Sequence, residues 1–453
     1  MKLSLVKFTA FVALAMATFA VPHTVQAQNN TNAGGIIVDA DGVLKNRTIA
    51  DPTGQLNRQR ASQAVATLNE DIATPSQLRK VSLRRLEAEL KRLREGGESL
   101  PTDMKCLAGL TSITHVFCYP ESGDIVIAGP AEGYFEDVNG HVRGVNSGDA
   151  TIMLEDLVAA LRAFPADGRS ASLVGCSIDP TAEGLARMQQ FVGRAQSQGG
   201  TADAIAQGVR DSLGMQTVRV DGVAPETHMA HVLVEADYRM KLMGLGLERV
   251  KGVTAYVDKI RGGSSNAITR WFFAPNYDCV RVANNELAMT LEGSAVELLT
   301  ESEIADASGN REVTQRGNTA SIAFCRSFTK NYDKIATQIP VFGELANAMD
   351  LTIAAAFIQS KDYYGLTGLK LDMLNDEAQF PIETQEPIKQ TESVVTAVIK
   401  GGRLITPVSG GVSIHARRAV EDNVVKVDES GKAAELRDTI QVENLKPNQW
   451  WWD

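Results

Sequence analysis

Cysteine is scarce in this chain, and its spacing shows no metal-binding motif. The five cysteines include no C-x-x-C pair, and no two of them are close enough to form a zinc knuckle. An odd number leaves at least one thiol unpaired or bonded to another chain. Because the members of each pair fall within one proposed region, we predict the disulfides Cys106–Cys118 and Cys279–Cys325, which leaves Cys176 as a free thiol.

The usual sequence fingerprints of catalysis and nucleotide binding are also missing. The chain has no G-x-S-x-G elbow, no H-E-x-x-H pair, no Walker loop and no G-x-G-x-x-G. The nearest approach to the last of these, Gly244-Leu245-Gly246-Leu247, lacks the third glycine. The sequence therefore predicts no metal and no cofactor.

An excess of basic charge is missing as well. Lys and Arg number 45 against 55 Asp and Glu, which gives a formal net charge of −10. An acidic protein has no long-range attraction to nucleic acid or to anionic lipid. We therefore expect neither as a partner.

Beyond the first twenty residues we find no apolar run long enough to predict a membrane span. At the start of the chain, Lys2 and Lys7 precede an apolar run from Phe8 to Ala20, and Val25-Gln26-Ala27 offers a small-residue cleavage site. This order is typical of a secretory signal peptide, with cleavage after Ala27. We predict an exported protein that is periplasmic or extracellular.

Chain length predicts two or three domains, and the sequence pattern divides them into segments. The helical arm holds Leu83, Leu86, Leu90 and Leu93 at a 3-4-3 spacing, which favours one packed face. The tail ends in three tryptophans, which we expect to dock on the protein or on a partner. The segments are a signal peptide (1–27), a mobile segment (28–53), the helical arm (54–100), a mixed α/β domain (101–249), strands with a helical hairpin (250–380), and a linker with C-terminal strands and the tail (381–453).

The region from about 106 to 247 has the clearest pattern and predicts a mixed sheet covered by helices. Ile113–Tyr119 and Asp124–Ala128 predict a hairpin, Leu154–Phe164 predicts an amphipathic helix, and Met229–Ala236 predicts a strand. The fold class we predict is α+β. This sheet is followed by a region of strands and a helical hairpin and then by a short C-terminal β region.

The last two regions depend on glycine turns and one very apolar helix. Phe342–Gln359 is apolar nearly all round, so we expect this helix to be central. After an acidic linker, Gly-Gly pairs at 401–402 and 410–411 predict turns between three strands, which are Ser393–Ile399, Leu404–Val408 and Val412–Ala416.

The stretch from Ala171 to Ala195 predicts a buried strand that runs into an amphipathic helix. Asp179 directly before Pro180 fits a helix N-cap followed by the first helical position. Cys176 would then lie near the carboxyl end of a strand, where open α/β sheets bind ligands and where helix N-termini depress thiol pKa values. The alternative is an ordinary buried thiol, because a small thiol in an apolar strand is usually part of the core.

A nucleophile and base pair is conceivable at this junction. In the predicted strand Met229–Ala236, His231 and Glu235 fall on one face. A Cys176–His231 pair oriented by Glu235 or Asp237 would fit hydrolytic chemistry if the two strands were neighbours. The competing interpretation of His231 is a hydrogen-bonded core residue.

Several phrases of the chain resemble a known group of proteins. They include AGPAEGYFED, GCSIDPTAEGLARMQ and HVLVEADYRMKLMGLGLE, and the resemblance extends over roughly Cys106 to Ala416. The group consists of secreted planctomycete proteins catalogued as a family of unknown function. The resemblance implies export and a shared architecture, and it supplies no reaction, cofactor or catalytic residue.

From these observations we expect an exported protein that acts as a non-catalytic binding or envelope-associated module. Its partner would be an unidentified protein or a component of the cell envelope. The alternative is a hydrolase that uses the strand–helix junction at Cys176 with His231 and Glu235. An enzyme would show a pocket where these three side chains converge, whereas a binding module would show a groove or an apolar patch without such convergence.

Overall fold

The computed structural model describes residues 35–198, 201–260, 267–292, 296–305, 311–316, 318–395, 408–442 and 445–453. The predicted signal peptide and most of the predicted strands between 396 and 407 lie outside these ranges. Within them, helices and mixed open sheets alternate along the chain, which confirms the predicted α+β class.

Helices of very different lengths cover the sheets. The described part of the chain also contains a 3-10 turn at Leu107–Gly109. The helices are α1 Gln55–Val65, α2 Glu70–Ala73, α3 Leu83–Gly96, α4 Thr102–Lys105, α5 Leu154–Ala163, α6 Ala182–Gln198, α7 Ala202–Leu213, α8 His228–Gly244, α9 Tyr256–Lys259, α10 Thr319–Lys330, α11 Tyr332–Gln338, α12 Pro340–Ser360, α13 Tyr363–Thr367, α14 Ala416–Ala419 and α15 Lys432–Thr439.

In the described part of the chain, the larger sheet has nine strands and mixed pairing. Its order is β1-β2-β15-β9-β8-β16-β10-β13-β14, in which β15 pairs parallel with β2 and β16 pairs parallel with β10. Strands from four of the predicted segments meet in it, so the segment boundaries do not divide this sheet. Its strands are β1 Ile36–Val38, β2 Val43–Asn46, β8 Val174–Pro180, β9 Met215–Asp221, β10 Ala267–Pro275, β13 Val296–Ala305, β14 Arg311–Arg316, β15 Gln390–Glu392 and β16 Val408–Ile414.

A second sheet contains the predicted hairpin. Its described strands follow the order β17-β11-β12-β4-β5-β3-β18. Antiparallel pairing of β4 with β5 confirms the hairpin, and a separate two-stranded ribbon joins β6 to β7. The strands are β3 Ser76–Ser82, β4 His115–Tyr119, β5 Asp124–Ala131, β6 Tyr134–Glu136, β7 Val142–Gly144, β11 Val280–Val282, β12 Ala288–Leu291, β17 Lys426–Val427 and β18 Trp451–Trp452.

Two buried helices position the residues of interest between the sheets. α8 packs on β8 and β16 of the nine-stranded sheet, and α12 packs against both α8 and α5. By length and composition α12 could cross a membrane, which the sequence prediction did not anticipate, but 83% of its apolar window is buried inside the protein. It is thus the central helix predicted from its uniformly apolar sequence.

The prediction of a loosely attached segment over 28–53 is wrong for residues 36–46. These residues form β1 and β2, and Ile36 and Leu44 are buried. The turn between the two strands is fixed locally, because the Asp39 carboxylate accepts hydrogen bonds from the amides of Asp41 and Val43. Gly42 follows with a φ of 79°, a conformation that favours glycine.

The strand predicted at Met229–Ala236 is wrong, because these residues belong to α8. The helix begins after Thr227, whose side chain accepts a hydrogen bond from the amide of Ala230. Nearly every residue of α8 from Met229 to Met243 is buried, so its apolar residues show no helical period. A helix that is covered on all sides cannot be told from a buried strand by periodicity alone.

The turn predicted at Gly410-Gly411 is also wrong. Both glycines lie inside β16, between β8 and β10. A Cβ atom on Gly411 would lie 2.2 Å from the carbonyl oxygen of Cys176, and one on Gly410 would lie 2.3 Å from that of Trp271. Glycine is required here because neighbouring backbones approach closely, which is the other common reason for glycine in a strand.

Neither predicted disulfide is present. Cys106, Cys118, Cys279 and Cys325 are free thiols, and each is buried in the apolar core. Burial raises the pKa of all four thiols, so the neutral form is favoured. Cys176 is free as predicted, although the pairing argument that led to this prediction was wrong.

Two predictions about packing are confirmed. The four leucines of α3 are all buried, although a strand (β3) precedes this helix inside the predicted helical arm. The terminal tryptophans dock on the protein itself, because β18 pairs antiparallel with β3. The Arg79 guanidinium lies over the Trp451 ring at 4.6 Å and also pairs with Asp453.

Candidate functional site

Cys176 lies in β8, near the middle of the nine-stranded sheet. It is opposite Val412 of β16 on one side and Val220 of β9 on the other. Its side chain is 5% exposed. Burial, and after it the carboxylate of Asp237, raise the pKa of this thiol well above its usual value. A buried neutral thiol is a poor nucleophile, because the thiolate is the reactive form.

The end of β8 also differs from the prediction. Asp179 and Pro180 are the last residues of the strand and do not begin the helix. The cap is Thr181, whose hydroxyl accepts a hydrogen bond from the amide of Gly184 at 3.0 Å, while its carbonyl accepts from the amide of Leu185. The predicted N-cap role of Asp179 is therefore wrong, because the cap lies two residues later, at Thr181. The strand continues through Pro180, and a proline without an N–H group is tolerated at the end of a strand.

The charged group nearest the Cys176 junction is an ion pair on α8. Lys241 Nζ lies 2.8 Å from Asp237 Oδ2 and also donates to the carbonyl oxygen of Ile178 at 3.1 Å. Burial raises the pKa of Asp237 to about 6, although Lys241 opposes this shift. A Cβ atom on Gly410 would lie 2.6 Å from Asp237 Oδ1, so β16 closes over the pair. The junction is filled by protein.

His231 and Glu235 do not face this junction. They are one turn apart on α8, whereas Asp237 lies two residues beyond Glu235, which is about 200° around the helix. Glu235 Oε1 is 4.0 Å from His141 Nε2 and 3.4 Å from Arg239 on the far side from the ion pair. The predicted residues are therefore on different sides of α8. Asp237 is on the side that faces the sheet and Cys176, and His231 and Glu235 are on another side of the helix.

The pKa values on this second side of α8 are set by burial and by charged neighbours. Burial and the positive charge of His228 lower the pKa of His231 to about 4, and its Nε2 atom is buried without a partner. Burial raises the pKa of Glu235 to about 6. Burial also opposes charge on His141, but the Glu344 carboxylate 2.9 Å away raises the pKa of this histidine to about 9. His141, Glu344 and Glu235 thus belong to a buried charged network, and His231 Nε2 has no hydrogen-bond partner among the described residues.

The network continues to the first turn of α5. His228 Nδ1 lies 3.0 Å from both carboxylate oxygens of Asp156. Although burial opposes charge, Asp156, followed by Glu155 and Glu344, raises the pKa of His228 well above its usual value. Asp156 is therefore matched by a cationic histidine, and its neighbour in sequence, Glu155, has no such partner.

Glu155 lines an open cavity of about 680 Å³, which we call the α3–α5 cavity. Neither carboxylate oxygen of Glu155 has a hydrogen-bond partner among the described residues, and Oε2 is fully buried. Burial raises the pKa of Glu155 to about 7, opposed by His228 and supported by Asp156. The walls are mainly apolar, and they include Leu90, Leu93, Leu100, Met153, Leu154, Met373, Phe380 and Ile382.

Charged side chains stand at the rim of the α3–α5 cavity. Lys105 Nζ pairs with Glu383 at 2.6 Å, and the Arg94 guanidinium donates to the carbonyl oxygens of Ala378 and Gln379. These contacts tie the 378–383 segment to α3 and α4. An apolar chamber with one unpaired, readily protonated carboxyl group inside and a charged rim has the form of a small-molecule site.

Sequence reasoning missed Glu155. The available signal was the pair Glu155-Asp156 in the first turn of a predicted apolar helix, where acidic residues are expected from the helix dipole alone. In the described part of the chain, no group of three or more His, Cys, Asp or Glu residues has the geometry to hold a metal ion. The chemistry available at Glu155 is hydrogen bonding and proton exchange.

Comparison with known proteins identifies a family model that matches part of the chain. Residues 176–256 match the model of a family described as a protein of unknown function (DUF1598). This span runs from Cys176 in β8 through α8 to Tyr256, so it covers the junction and the buried ion pair but not Glu155. No curated protein and no solved structure matches the chain.

Proposed function

We propose that this chain is an exported, non-catalytic binding protein that holds a small, largely apolar molecule in the α3–α5 cavity. The observation that carries the proposal is Glu155, which lines about 680 Å³ of open space and whose buried Oε2 atom has no hydrogen-bond partner among the described residues. A buried polar atom without a partner costs about 1–3 kcal/mol, and a ligand that supplies a hydrogen bond recovers this cost.

The lining of the cavity indicates the chemistry of the ligand. Leucine, methionine and phenylalanine side chains favour an apolar body. Glu155, with a pKa of about 7, accepts a hydrogen bond as the carboxylate and can also donate one as the acid. The ligand we propose has an apolar skeleton and a single N–H or O–H donor that reaches Glu155.

A binding role is also supported by the placement of the residues that a hydrolase would need. Cys176 is enclosed by β9 and β16, and its thiol has a raised pKa. His231 and Glu235 lie on another face of α8 from Asp237, the carboxylate that raises the pKa of this thiol. Nucleophilic catalysis requires the nucleophile and its base within hydrogen-bond reach of each other and of substrate.

Export is proposed from the sequence alone, with a protein or a component of the cell envelope as the wider partner. It is supported by the basic residues Lys2 and Lys7, the apolar run that follows them, and the small-residue site ending at Ala27. The resemblance to secreted planctomycete proteins adds to this expectation. Mass spectrometry of protein recovered outside the cytoplasm should find an N-terminus at Gln28, and an intact Met1 would contradict export.

Binding can be tested with N-phenyl-1-naphthylamine, an apolar fluorophore with one N–H donor whose emission rises in apolar surroundings. We expect saturable binding to the wild-type protein and at least a tenfold loss of affinity in Ala378→Trp, which places an indole in the cavity mouth. Ala378 is exposed, so this variant should fold normally. The matched control is Ala66→Trp, at an exposed alanine outside the cavity.

A second variant examines the role of Glu155 itself. Glu155→Leu should bind the probe at least threefold more weakly although its pocket is more apolar, because the acceptor is lost. Equal affinity in Glu155→Leu would contradict recognition through this carboxyl group. Equal affinity in Ala378→Trp, or no saturable binding to the wild type, would overturn the α3–α5 cavity as the site.

A further inference from the structure

A second open cavity, of about 720 Å³, is lined in part by α12. We call it the α11–α12 cavity. Its walls come from α11, from α12, from the chain around residues 111–114 that leads into β4, and from the 146–150 loop. It shares no lining residue with the α3–α5 cavity. Apolar wall residues, including Ile113, Leu291 and Ala346, alternate with polar ones.

The charges that line this cavity are all of one sign. Among the described residues around it, four are acidic and none is a lysine, an arginine or a histidine. Asp149 and Asp333 are exposed at its edge. Glu132 is buried and committed to the protein, because its carboxylate accepts hydrogen bonds from the amides of Asn146 and Ser147. Three of the four carboxylates are thus either solvated or satisfied.

The fourth carboxylate, Asp350 of α12, has no partner. No hydrogen bond and no ion pair to a described residue is made by this side chain. One turn earlier on the same helix face, Asn347 is 6% exposed, and its Nδ2 donates to the carbonyl oxygen of Ala150 at 3.1 Å. Its Oδ1 accepts nothing from the described residues. Two acceptors with no donors therefore line the same cavity from one face of α12.

The groups around Asp350 leave its charge uncompensated. The nearby titratable side chains are Tyr332 of α11 and Cys279, which precedes β11, and burial raises the pKa of both. Tyr332 donates its hydroxyl to the carbonyl oxygen of Phe342, so it does not supply Asp350 with a hydrogen bond. Burial alone raises the pKa of Asp350 to about 8. Asp350 is half-buried, and an acid in a cavity wall without a cation beside it is a candidate binding residue.

We propose that the α11–α12 cavity binds a small ligand that carries a primary ammonium group, which Asp350 and Asn347 recognise together. An ammonium group has three donors and no acceptor, so it can satisfy the Asp350 carboxylate and Asn347 Oδ1 at once. The apolar wall residues would cover the carbon skeleton beside it. This site is independent of the function proposed for the α3–α5 cavity.

Isothermal titration calorimetry with phenethylamine tests the proposal, with 2-phenylethanol as the neutral analogue and 3-phenylpropionate as the anionic one. We expect only the amine to bind the wild-type protein. Asp350→Asn keeps the shape of the protonated acid and should weaken amine binding at least tenfold. Asp41→Asn, at an exposed turn far along the chain, is the matched control and should change nothing.

Proton release on ligand binding provides a second measurement. It would not be expected if Asp350 had only a structural role. At pH 7 the free carboxyl group is largely protonated, and a bound ammonium group favours the carboxylate, so binding should release a proton. The observed enthalpy should therefore differ between phosphate and Tris buffers for the wild type and be the same in both for any residual binding to Asp350→Asn. Affinity should rise as the pH increases towards 8.

Three results would overturn the proposal. They are tight binding of 2-phenylethanol, undiminished amine binding by Asp350→Asn, and failure of phenethylamine to bind the wild type. Ala346→Phe, which fills the cavity from α12 without altering any charge, should abolish amine binding as well. Ala378→Trp should leave it unchanged, so failure at one cavity remains distinguishable from failure at the other.

Discussion

The Cys176 junction and the α3–α5 cavity both bury titratable groups, but they differ in what surrounds them. At the junction, Asp237 is 2.8 Å from Lys241, and the glycines of β16 close over the pair. In the cavity, Glu155 is a lining residue whose buried Oε2 atom has no hydrogen-bond partner among the described residues. The junction contains residue types that are common in active sites, whereas the cavity has the open volume that a ligand needs.

This difference explains why residue type alone indicates the junction and not the cavity. Buried ionisable groups occur both where they stabilise a core and where they bind a ligand, and perturbed pKa values accompany both situations. A group is a stronger binding candidate when its partner is missing and space is present. Glu155 meets both conditions. Asp237 is paired with Lys241 through Oδ2, and although its Oδ1 atom has no hydrogen-bond partner among the described residues, the backbone of Gly410 lies against that atom and leaves no room for a ligand.

The largest effect on the free energy of unfolding should come from removing one member of the buried Asp237–Lys241 pair. Asp237→Ala removes the carboxylate that pairs with the buried Lys241 ammonium group, which keeps its hydrogen bond to the carbonyl oxygen of Ile178. Loss of one member of a buried pair costs about 3–5 kcal/mol. Urea unfolding should show this decrease in the free energy of unfolding.

A double variant distinguishes lost pairing from lost packing. In Asp237→Ala/Lys241→Met both charges are removed, so no uncompensated ion remains, and most of the stability should return. If the double variant were as unstable as Asp237→Ala, the pair would not be the source of the effect. Neither protein should lose the N-phenyl-1-naphthylamine site, provided that it is folded, because the pair lies outside the α3–α5 cavity.

A smaller effect of opposite sign is expected at Glu155. Its pKa is raised from 4.5 to about 7 by burial, so the native state holds this proton more tightly than the unfolded chain does. The resulting stabilisation is complete below pH 4.5 and is lost as the pH rises through 7. Relative to wild type, Glu155→Gln should therefore gain stability with rising pH, by on the order of 3 kcal/mol between pH 4.5 and 8.

The measurement is the difference in free energy of unfolding between Glu155→Gln and the wild type across this pH range. The matched control is Glu136→Gln, since Glu136 is exposed and outside the cavity. Its difference curve should be flat. A flat curve for Glu155→Gln would show that this carboxyl group titrates normally and is not held in an unfavourable site.

Much of the local structure could be predicted from the sequence, because it depends on neighbouring residues. The 3-4-3 leucines of α3 mark one buried face, and the apolar sequence of α12 marks a helix covered on all sides. The α8 helix has the same covered environment, but its stretch around His231 is a short apolar run, which predicts a strand as readily as a helix. Uniform burial removes the periodic signal that distinguishes the two.

Long-range pairing could not be predicted. β15 and β16 join β9, β8 and β10 from more than a hundred residues away, and no local pattern specifies these neighbours. The glycines of β16 have the sequence of a turn, and only the neighbouring carbonyl groups show why they belong in a strand. The candidate site could not be predicted for the same reason. The surroundings of Glu155 are set by α3, α5 and the 373–383 segment, which are far apart in the sequence and enclose the cavity together.

The smallest effect is expected from the helix cap beside Cys176. The hydroxyl of Thr181 accepts the amide hydrogen of Gly184, so Thr181→Ala should cost about 1 kcal/mol of stability, the usual loss for an N-cap side chain. Thr181→Ser retains the acceptor and should recover most of it. Denaturant unfolding of these proteins beside Asp179→Ser decides between the cap seen in the structure and the one expected from the Asp-Pro sequence. If Asp179→Ala were rescued by Asp179→Ser while Thr181→Ala had no effect, α6 would begin two residues earlier than described, and the chain around Cys176 would have to be reconsidered as a helix N-terminus.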